Sequence, residues 1–330
     1  MSMRKFILKI VTISGIVVLI FLLMLICLPM DKDCYLREYN KKIELIKSTP
    51  SPRLILVGAS TLAFGVDSKQ ISDSLGINVI NMGLHAGIGA RYYLDDYLQY
   101  IRQGDIVLMS PSYYADFIEG ANGFPETMPD LMIATNWRNV EKLNIHQIIQ
   151  LIKGTPFYCL RSILDCFKSP MNEFDPRQEN LEFRFIASGF NEYGDEVSHW
   201  IIPSKNIKQN LEVEERTSPN HIEVDESFMV YLKNAIENYK RKGAHVLLMP
   251  EISSHSNYVQ YNPDQIEKKM KEYGMFFFTN PKNLEFHDSY SYDEWGAAHL
   301  SRDGVTLASE RIAVLLQGQK SLQSLFKNNN

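Results

Sequence analysis

Hydrophobic residues form short unbroken runs along the chain, and segments with helical spacing separate these runs. The runs lie at 53–57, 77–82, 105–110, 244–249 and 275–279. Runs in which apolar residues do not alternate with polar ones are typical of strands that are buried on both faces, as in parallel sheets. The segments with helical spacing lie at 68–75, 91–101, 228–241, 263–273 and 305–316. The alternation predicts an α/β fold whose sheet is doubly wound and mostly parallel.

The first thirty residues predict a membrane anchor. Residues 10–30 contain no charged residue, and a helix of this length spans about 30 Å, the thickness of a hydrocarbon core. The stretch 25–29 lacks the small residues of a cleavage site, which favours an uncleaved signal anchor over a removed leader peptide. Because Arg4, Lys5 and Lys9 precede the apolar stretch, we expect the N-terminus in the cytoplasm. The sequence thus predicts a single-pass cell-membrane protein whose main domain is periplasmic or extracellular.

The rest of the chain divides into a short polar segment and one domain. Residues 31–50 are polar and rich in lysine, and we interpret them as a juxtamembrane helix or stalk. The domain covers residues 51–330. Within it, residues 112–225 are rich in aromatic residues, contain prolines and show helical spacing only near 140–167. We interpret this stretch as an insertion or lid between the third and fourth predicted strands.

Composition and charge exclude several classes of protein. Apolar residues make up 45% of the 330 positions and charged residues 22%, which is the balance of a folded globular protein. The net charge of −5 offers no basic surface for a phosphate backbone, so we expect no nucleic-acid partner. Four cysteines in a chain of this length exclude a disulfide scaffold, and the cysteines and histidines lack the spacing of a zinc site. No metal and no cofactor are predicted.

One serine and one histidine are candidates for catalysis. Ser60 is the second residue after Gly58 and lies just past the end of the first predicted strand. Open α/β sheets bind ligands at this edge. His299 lies in a loop before the last predicted helix. Ser60 as nucleophile, His299 as base and Asp293 as the acid that orients the base would form a triad. Serine is also common in turns and helix caps, so Ser60 has a structural role as its alternative. Asp288 is the alternative to Asp293 as the acid.

These residues lie in motifs that resemble a known family. The Gly-x-Ser turn at Ser60, a glycine after the second predicted strand and the Asp…His-Leu…Gly pattern near the end resemble the SGNH/GDSL hydrolase-like superfamily. Residues 58–68 and 81–87 are similar to its membrane-anchored, envelope-associated bacterial members. The resemblance covers about residues 53–112 and 244–316.

The resemblance implies a three-layer α/β/α, flavodoxin-like fold and acyl-ester chemistry. It implies that Ser60 is the nucleophile, that His299 is the base, and that the backbone N–H groups of Ser60 and Gly83 bind the oxyanion. The family also has an oxyanion asparagine after the third strand, where this chain has Ser-Pro-Ser-Tyr-Tyr at 110–114. Ser112 or Tyr113 is the candidate replacement for that missing donor.

Further side chains are candidates for substrate contact. His85 lies between two glycines after the second predicted strand, so it either faces the crevice or is satisfied by local backbone. Trp295 lies in the predicted catalytic loop and is suited to stacking on a sugar ring. Tyr113, after the third predicted strand, is a further candidate for substrate contact.

The sequence therefore predicts an extracytoplasmic serine-dependent acyl-ester enzyme that acts on cell-envelope or exported glycan. Hydrolysis by a carbohydrate esterase and transfer by an O-acyltransferase fit the same residues. The resemblance also implies a multi-spanning membrane acyltransferase as partner. The alternative is a catalytically degenerate binding or assembly protein of an envelope polysaccharide system, because the oxyanion asparagine is missing and the acid is displaced.

Overall fold

A four-stranded parallel sheet forms the centre of the protein, as the unbroken apolar runs predict. The computed structural model describes residues 3–27, 33–167, 186–201, 220–291 and 299–326. The strands are β1 (Arg53–Gly58), β2 (Asn78–Asn81), β3 (Ile106–Ser110) and β4 (His245–Leu248), in the order β2-β1-β3-β4. The register pairs Ile55 with both Ile80 and Val107, and Leu108 with Leu247.

Helices connect the strands and flank the sheet. Those before β3 are α1 (Met3–Cys27), α2 (Glu38–Ser48), α3 (Ser60–Ala63), α4 (Ser68–Leu75) and α5 (Ala90–Leu98). Between β3 and β4 lie α6 (Met128–Ala134), α7 (Ile145–Phe167) and α8 (Glu226–Arg241). After β4 come α9 (His255–Tyr261), α10 (Pro263–Glu272), α11 (Arg302–Gln317) and α12 (Gln323–Phe326). A second, two-stranded parallel sheet pairs β5 (Ser253–Ser254) with β6 (Glu285–Phe286).

Apolar side chains alternate between the two faces of the sheet, and each face has its own core. Ile55, Val57 and Val107 pack with residues of α2, α5, α8 and α10. Leu54 and Leu56 point to the other face and pack with residues of α4 and α11. Because successive strand residues point to opposite faces, helices must cover both sides of the sheet. The predicted α/β class with a parallel sheet is therefore confirmed.

The fifth predicted strand, at 275–279, is wrong. The chain runs beside β4 there, and the Phe278 N–H donates to the Leu248 carbonyl at 2.8 Å, but these residues form no strand. The Phe276 side chain is 66% exposed. Apolar character alone does not distinguish a strand from an extended segment that lacks a continuous ladder of hydrogen bonds.

The polar segment at 31–50 contains a helix that belongs to the domain. Helix α2 buries Tyr39 and Ile46 in the core. Lys42 is buried as well, and its Nζ donates to the carbonyls of Asn81 (2.8 Å) and Gly194 (2.6 Å). Of the two interpretations, helix or stalk, the structure therefore has the helix, and it packs against the sheet.

Much of the stretch expected as an insertion or lid also contributes to the core. A π-helical turn (Tyr113–Ile118) follows β3, and Phe117 within it is fully buried. Helix α6 buries Met128 and Leu131 in the same core. The first part of the 112–225 stretch is thus packed on the sheet, and α7 follows it.

A transmembrane helix was expected at residues 10–30. Helix α1 covers Met3–Cys27. Among the helices of the described residues, none is both long enough and apolar enough to cross a membrane.

Candidate functional site

Ser60 lies at the carboxyl edge of the sheet because β1 ends at Gly58. A Cβ atom on Gly58 would lie 2.5 Å from the carbonyl oxygen of Ser110, so only glycine allows β1 and β3 to come this close. Ala59 has an extended backbone conformation, and Ser60 then begins the short helix α3. The Ser60 side chain is partly exposed at this edge.

The structure brings Ser60 and His299 together although 239 positions separate them. The His299 Nε2 atom lies 3.0 Å from the Ser60 Oγ atom, which is hydrogen-bond distance. The His299 side chain is largely buried, and its ring stacks on Phe64 with centroids 4.5 Å apart. Phe64 follows α3 directly, so one local segment supplies both the hydroxyl and the surface that holds the imidazole.

Backbone contacts hold the chain at His299. Leu300 forms an antiparallel bridge with Ser291, and the Ser301 N–H donates to the Tyr290 carbonyl at 2.6 Å. Ser301 is also the N-cap position of α11. These contacts attach the two residues that follow the histidine to the core of the domain.

Of the two acids predicted for the triad, one lies outside the described residues and the other binds elsewhere. Asp293 and Trp295 lie outside the described residues. Asp288, the alternative acid, accepts hydrogen bonds from the backbone N–H and the hydroxyl of Ser256. Both of its oxygens are therefore engaged at the start of α9.

Gly83 is close to Ser60, but its N–H group does not serve as the expected oxyanion donor. This N–H donates to the Asn81 side-chain oxygen at 2.9 Å. The same Asn81 side chain donates to the Leu62 carbonyl in α3 at 2.9 Å. A Cβ on Gly83 would lie 2.9 Å from the Ala59 carbonyl. The glycine and the asparagine therefore attach the end of β2 to the turn that carries Ser60.

Ser112 and Tyr113 do not face the crevice either, contrary to the expectation. The Ser112 N–H donates to Asp116 at 2.8 Å, and the Tyr113 N–H donates to Glu251. The Ser112 hydroxyl accepts from the Ala115 N–H within its own turn. Tyr113 is 1% exposed, so its ring lies in the core and does not contact a substrate. Ser112 and Tyr113 are not available to a substrate because two buried carboxylates, Asp116 and Glu251, accept the hydrogen bonds of this turn.

These two carboxylates were missed from the sequence. Glu251 follows β4 and lies behind Ser60, because the Thr61 hydroxyl donates to it at 3.1 Å. Asp116 accepts from the Ala90 N–H (2.8 Å) and the Tyr93 hydroxyl (3.2 Å). The available signal was the position of Glu251, two residues after the strand predicted at 244–249 and thus at the edge where ligand sites form.

Burial raises the pKa of both acids. The pKa of Glu251 rises to about 7, mainly through desolvation, and the nearby charge of Asp116 adds to the rise. Desolvation likewise raises the pKa of Asp116 to about 6. Both groups bind protons more tightly in the folded chain than in the unfolded one.

We expect Glu251 to make the folded protein less stable as pH rises toward 7. Its pKa is higher when folded, so between about 4.5 and 7 the native state holds more protons and stability falls with increasing pH. Glu251→Gln mimics the protonated side chain, so its unfolding free energy should depend less on pH, most clearly between about pH 6 and 7, above the midpoint of the Asp116 titration. Urea unfolding across this range measures the difference, and the exposed Glu237→Gln variant is the control. Equal pH dependence in all three proteins would contradict the expectation.

His85 is a neutral donor at the same edge. Its Nδ1 accepts a hydrogen bond from the Gly87 N–H at 3.0 Å, so the ring proton is on Nε2 in the neutral form. Burial, followed by the nearby charge of His299, lowers the pKa of His85 to about 4. The ring is partly exposed. His85 was expected either to face the crevice or to be satisfied by local backbone, and both apply. Nδ1 is satisfied by local backbone, and the Nε2–H remains a donor beside His299.

The Ser60 N–H is the remaining candidate for binding an oxyanion. Within the described part of the chain, no acceptor is found for the backbone N–H groups of Ser60 and Thr61, which are the first two of α3 and lack partners inside the helix. The described residues also contain no group of three or more histidine, cysteine and acidic side chains that could hold a metal ion. Comparison of the sequence with family models and with curated proteins finds no match.

Proposed function

We propose that this chain is a serine-dependent acyl-ester enzyme of the SGNH-hydrolase type. The observation that carries the proposal is the 3.0 Å contact between Ser60 Oγ and His299 Nε2 at the carboxyl edge of the sheet. The strand order β2-β1-β3-β4 matches part of a flavodoxin-like sheet, in which ligands bind at this edge. Helices on both faces fit the three-layer arrangement of such enzymes.

The geometry supports acyl transfer in two steps. In the first, Ser60 Oγ attacks the ester carbonyl carbon, and its proton passes to His299 Nε2. The bond to the alcohol then breaks, and His299 returns the proton to the departing oxygen. In the second step, water or a sugar hydroxyl attacks the acyl-serine with His299 again as base, which gives hydrolysis or O-acyl transfer respectively.

Two neighbouring groups complete this mechanism. The Ser60 N–H lies at the start of α3 and can donate to the oxygen that becomes negative in the transition state. The Nε2–H of His85 can donate to a substrate oxygen, and the low pKa of this ring, about 4, keeps it neutral at neutral pH. Gly83 and Ser112 are left out of the proposal because their donors are used inside the protein.

The substrate class and location are proposed from the sequence. The charge-free segment 10–30 and the basic residues before it support a membrane-attached chain with its domain outside the cytoplasm. Ester-linked acyl groups on cell-envelope or exported glycan are then the accessible substrates. A multi-spanning membrane acyltransferase is the proposed partner, on the ground of the motif resemblance alone.

Covalent labelling tests the proposal. A fluorophosphonate probe added to the full chain in detergent should label Ser60, and Ser60→Ala should abolish that adduct. Ser74→Ala, at an exposed serine of α4, is the matched control and should label like the parent chain. A chain that forms no adduct at Ser60 would support the competing proposal of a degenerate binding or assembly protein. That alternative is favoured by the engagement of Gly83 and Ser112.

His85 is expected to contribute to substrate binding. His85→Phe keeps an aromatic ring against Tyr35, which His85 contacts edge-on at 6.1 Å, but removes the donor. The loss of one hydrogen bond should lower kcat/KM for an acetyl ester by about two- to tenfold. His85→Gln, which keeps an N–H donor, should recover part of the loss, whereas equal losses in both variants would indicate a packing role.

A further inference from the structure

Helix α7 has an exposed apolar side that the core of the protein does not explain. Its opposite side is buried, with Leu151, Tyr158 and Cys159 facing inward. Helix α6 packs on that inner side, and a Cβ on Gly154 would clash with the Pro125 carbonyl. The outer side carries six large apolar residues that are 41–72% exposed, namely Ile145, Ile149, Ile152, Phe157, Leu160 and Leu164.

The spacing of these residues places them along one continuous side of the helix. Steps of three and four positions separate most of them, which is the repeat of a helix face. Contiguous apolar surface of this kind is uncommon on proteins surrounded only by water and marks an interaction site. We call this side the outer face of α7.

The neighbouring helix indicates what covers the outer face. Helix α1 contacts α7, and Met24 of α1 packs against the pair Tyr158 and Cys159. The side chains of α1 from Met3 to Ile20 are exposed, and most of them are apolar. Helices α1 and α7 are therefore neighbours that both present exposed apolar side chains, and α1 belongs to the segment already proposed to attach the chain to a membrane.

One cation on α7 fits a lipid surface. Lys153 is exposed beside Ile152 of the outer face, whereas the exposed Arg161 forms an ion pair with Asp130. Lysine and arginine reach from an apolar face to anionic headgroups, because their long aliphatic stems remain in apolar surroundings. An amphipathic helix with apolar residues on one side and cations at the border is suited to lie in the plane of a bilayer surface.

We propose that the outer face of α7 is embedded in the surface of a lipid bilayer beside α1. The proposal rests on the membrane attachment included in the proposed function. It has a consequence for the site, because α6 lies between α7 and the loop that carries His85. The Phe124 N–H, just before α6, donates to the Gly87 carbonyl at 2.8 Å. A bilayer under α7 would hold this loop near the membrane surface, where lipid-linked acyl groups arrive.

Photocrosslinking tests the contact directly. The full chain is reconstituted into vesicles of phosphatidylcholine and phosphatidylglycerol with p-benzoylphenylalanine at position 152 or 157. The control carries it at position 314, on α11, where Val314 is 60% exposed. All three proteins share the same anchor, so only a local contact distinguishes them. We expect at least about tenfold more lipid adduct at 152 and 157 than at 314, because a face embedded in lipid has acyl chains within reach.

Two results would overturn the proposal. One is lipid adduct at 152 and 157 that does not exceed the control, and the other is crosslinking of these positions to a second copy or to another protein. Circular dichroism of each variant in the same vesicles shows that it is folded, and fluorophosphonate labelling of Ser60 tests the chemistry separately. Lipid adducts without Ser60 labelling support the membrane contact and remove the enzyme proposal. Ser60 labelling without excess lipid adduct supports the enzyme proposal and removes the membrane contact.

Discussion

Replacing His299 by glutamine will lower the turnover of the esterase reaction that we propose by at least about a thousandfold, because the variant has no group that can take the proton from Ser60. Glutamine keeps a polar group near the Ser60 hydroxyl, but its amide cannot accept a proton near neutral pH. The measurement is the initial rate of p-nitrophenyl acetate hydrolysis by the full chain in detergent. The physical basis is the 3.0 Å separation of Nε2 and Oγ.

A matched histidine provides the control for this experiment. His255→Gln changes an exposed histidine whose Nδ1 contacts Glu285, on a different part of the surface, and should leave the rate within about twofold, as expected for a surface substitution. A His299→Gln protein that retains most of its activity would show that Ser60 is not activated by this imidazole.

Replacing Arg53 by methionine will reduce the free energy of unfolding by about 3–5 kcal/mol, since it leaves a buried carboxylate without its counterion. Arg53 and Asp105 are both fully buried and joined at 3.1 Å. The guanidinium also donates to the carbonyls of Thr49 (2.9 Å) and Tyr100 (3.0 Å). This ion pair joins the start of β1 to the residue before β3. Urea unfolding followed by circular dichroism measures the loss.

Two further variants separate this effect from a general loss of charge. Lys69→Met breaks an exposed ion pair with Asp73 and should cause a much smaller change, because water screens that pair. The double variant Arg53→Met, Asp105→Leu removes both charges, so it should regain much of the stability lost by the single variant. A single variant as stable as the parent chain would refute the prediction.

The sheet could be predicted from the sequence because its strands are buried on both faces. Burial of this kind requires unbroken apolar runs, which are visible in any sequence. Four of the five predicted runs are strands, and the segment 68–75 is the helix Ser68–Leu75. The prediction of a strand at 275–279 was wrong because a local pattern shows apolar character but does not show whether a segment forms hydrogen bonds with a neighbouring strand.

The partners of the polar groups at the site could not be predicted in the same way. Gly83 has the position and residue type of an oxyanion donor, yet its N–H is taken by Asn81. The donors of the turn after β3 are taken by Asp116 and Glu251, and Glu251 follows the turn by more than a hundred positions. A hydrogen bond depends on distance and direction between atoms that the fold brings together, and the chain order does not contain these quantities.

The residue pattern of this chain was sufficient for its α/β class, for the parallel sheet and for the choice of Ser60 and His299 as the pair to examine. Apolar periodicity and residue type are local properties, so they can be seen without coordinates. The 3.0 Å contact of that pair, the buried acids behind it and the exposed outer face of α7 emerged only on folding. Each of them depends on which distant segments lie side by side, and the packing of the whole chain sets that arrangement.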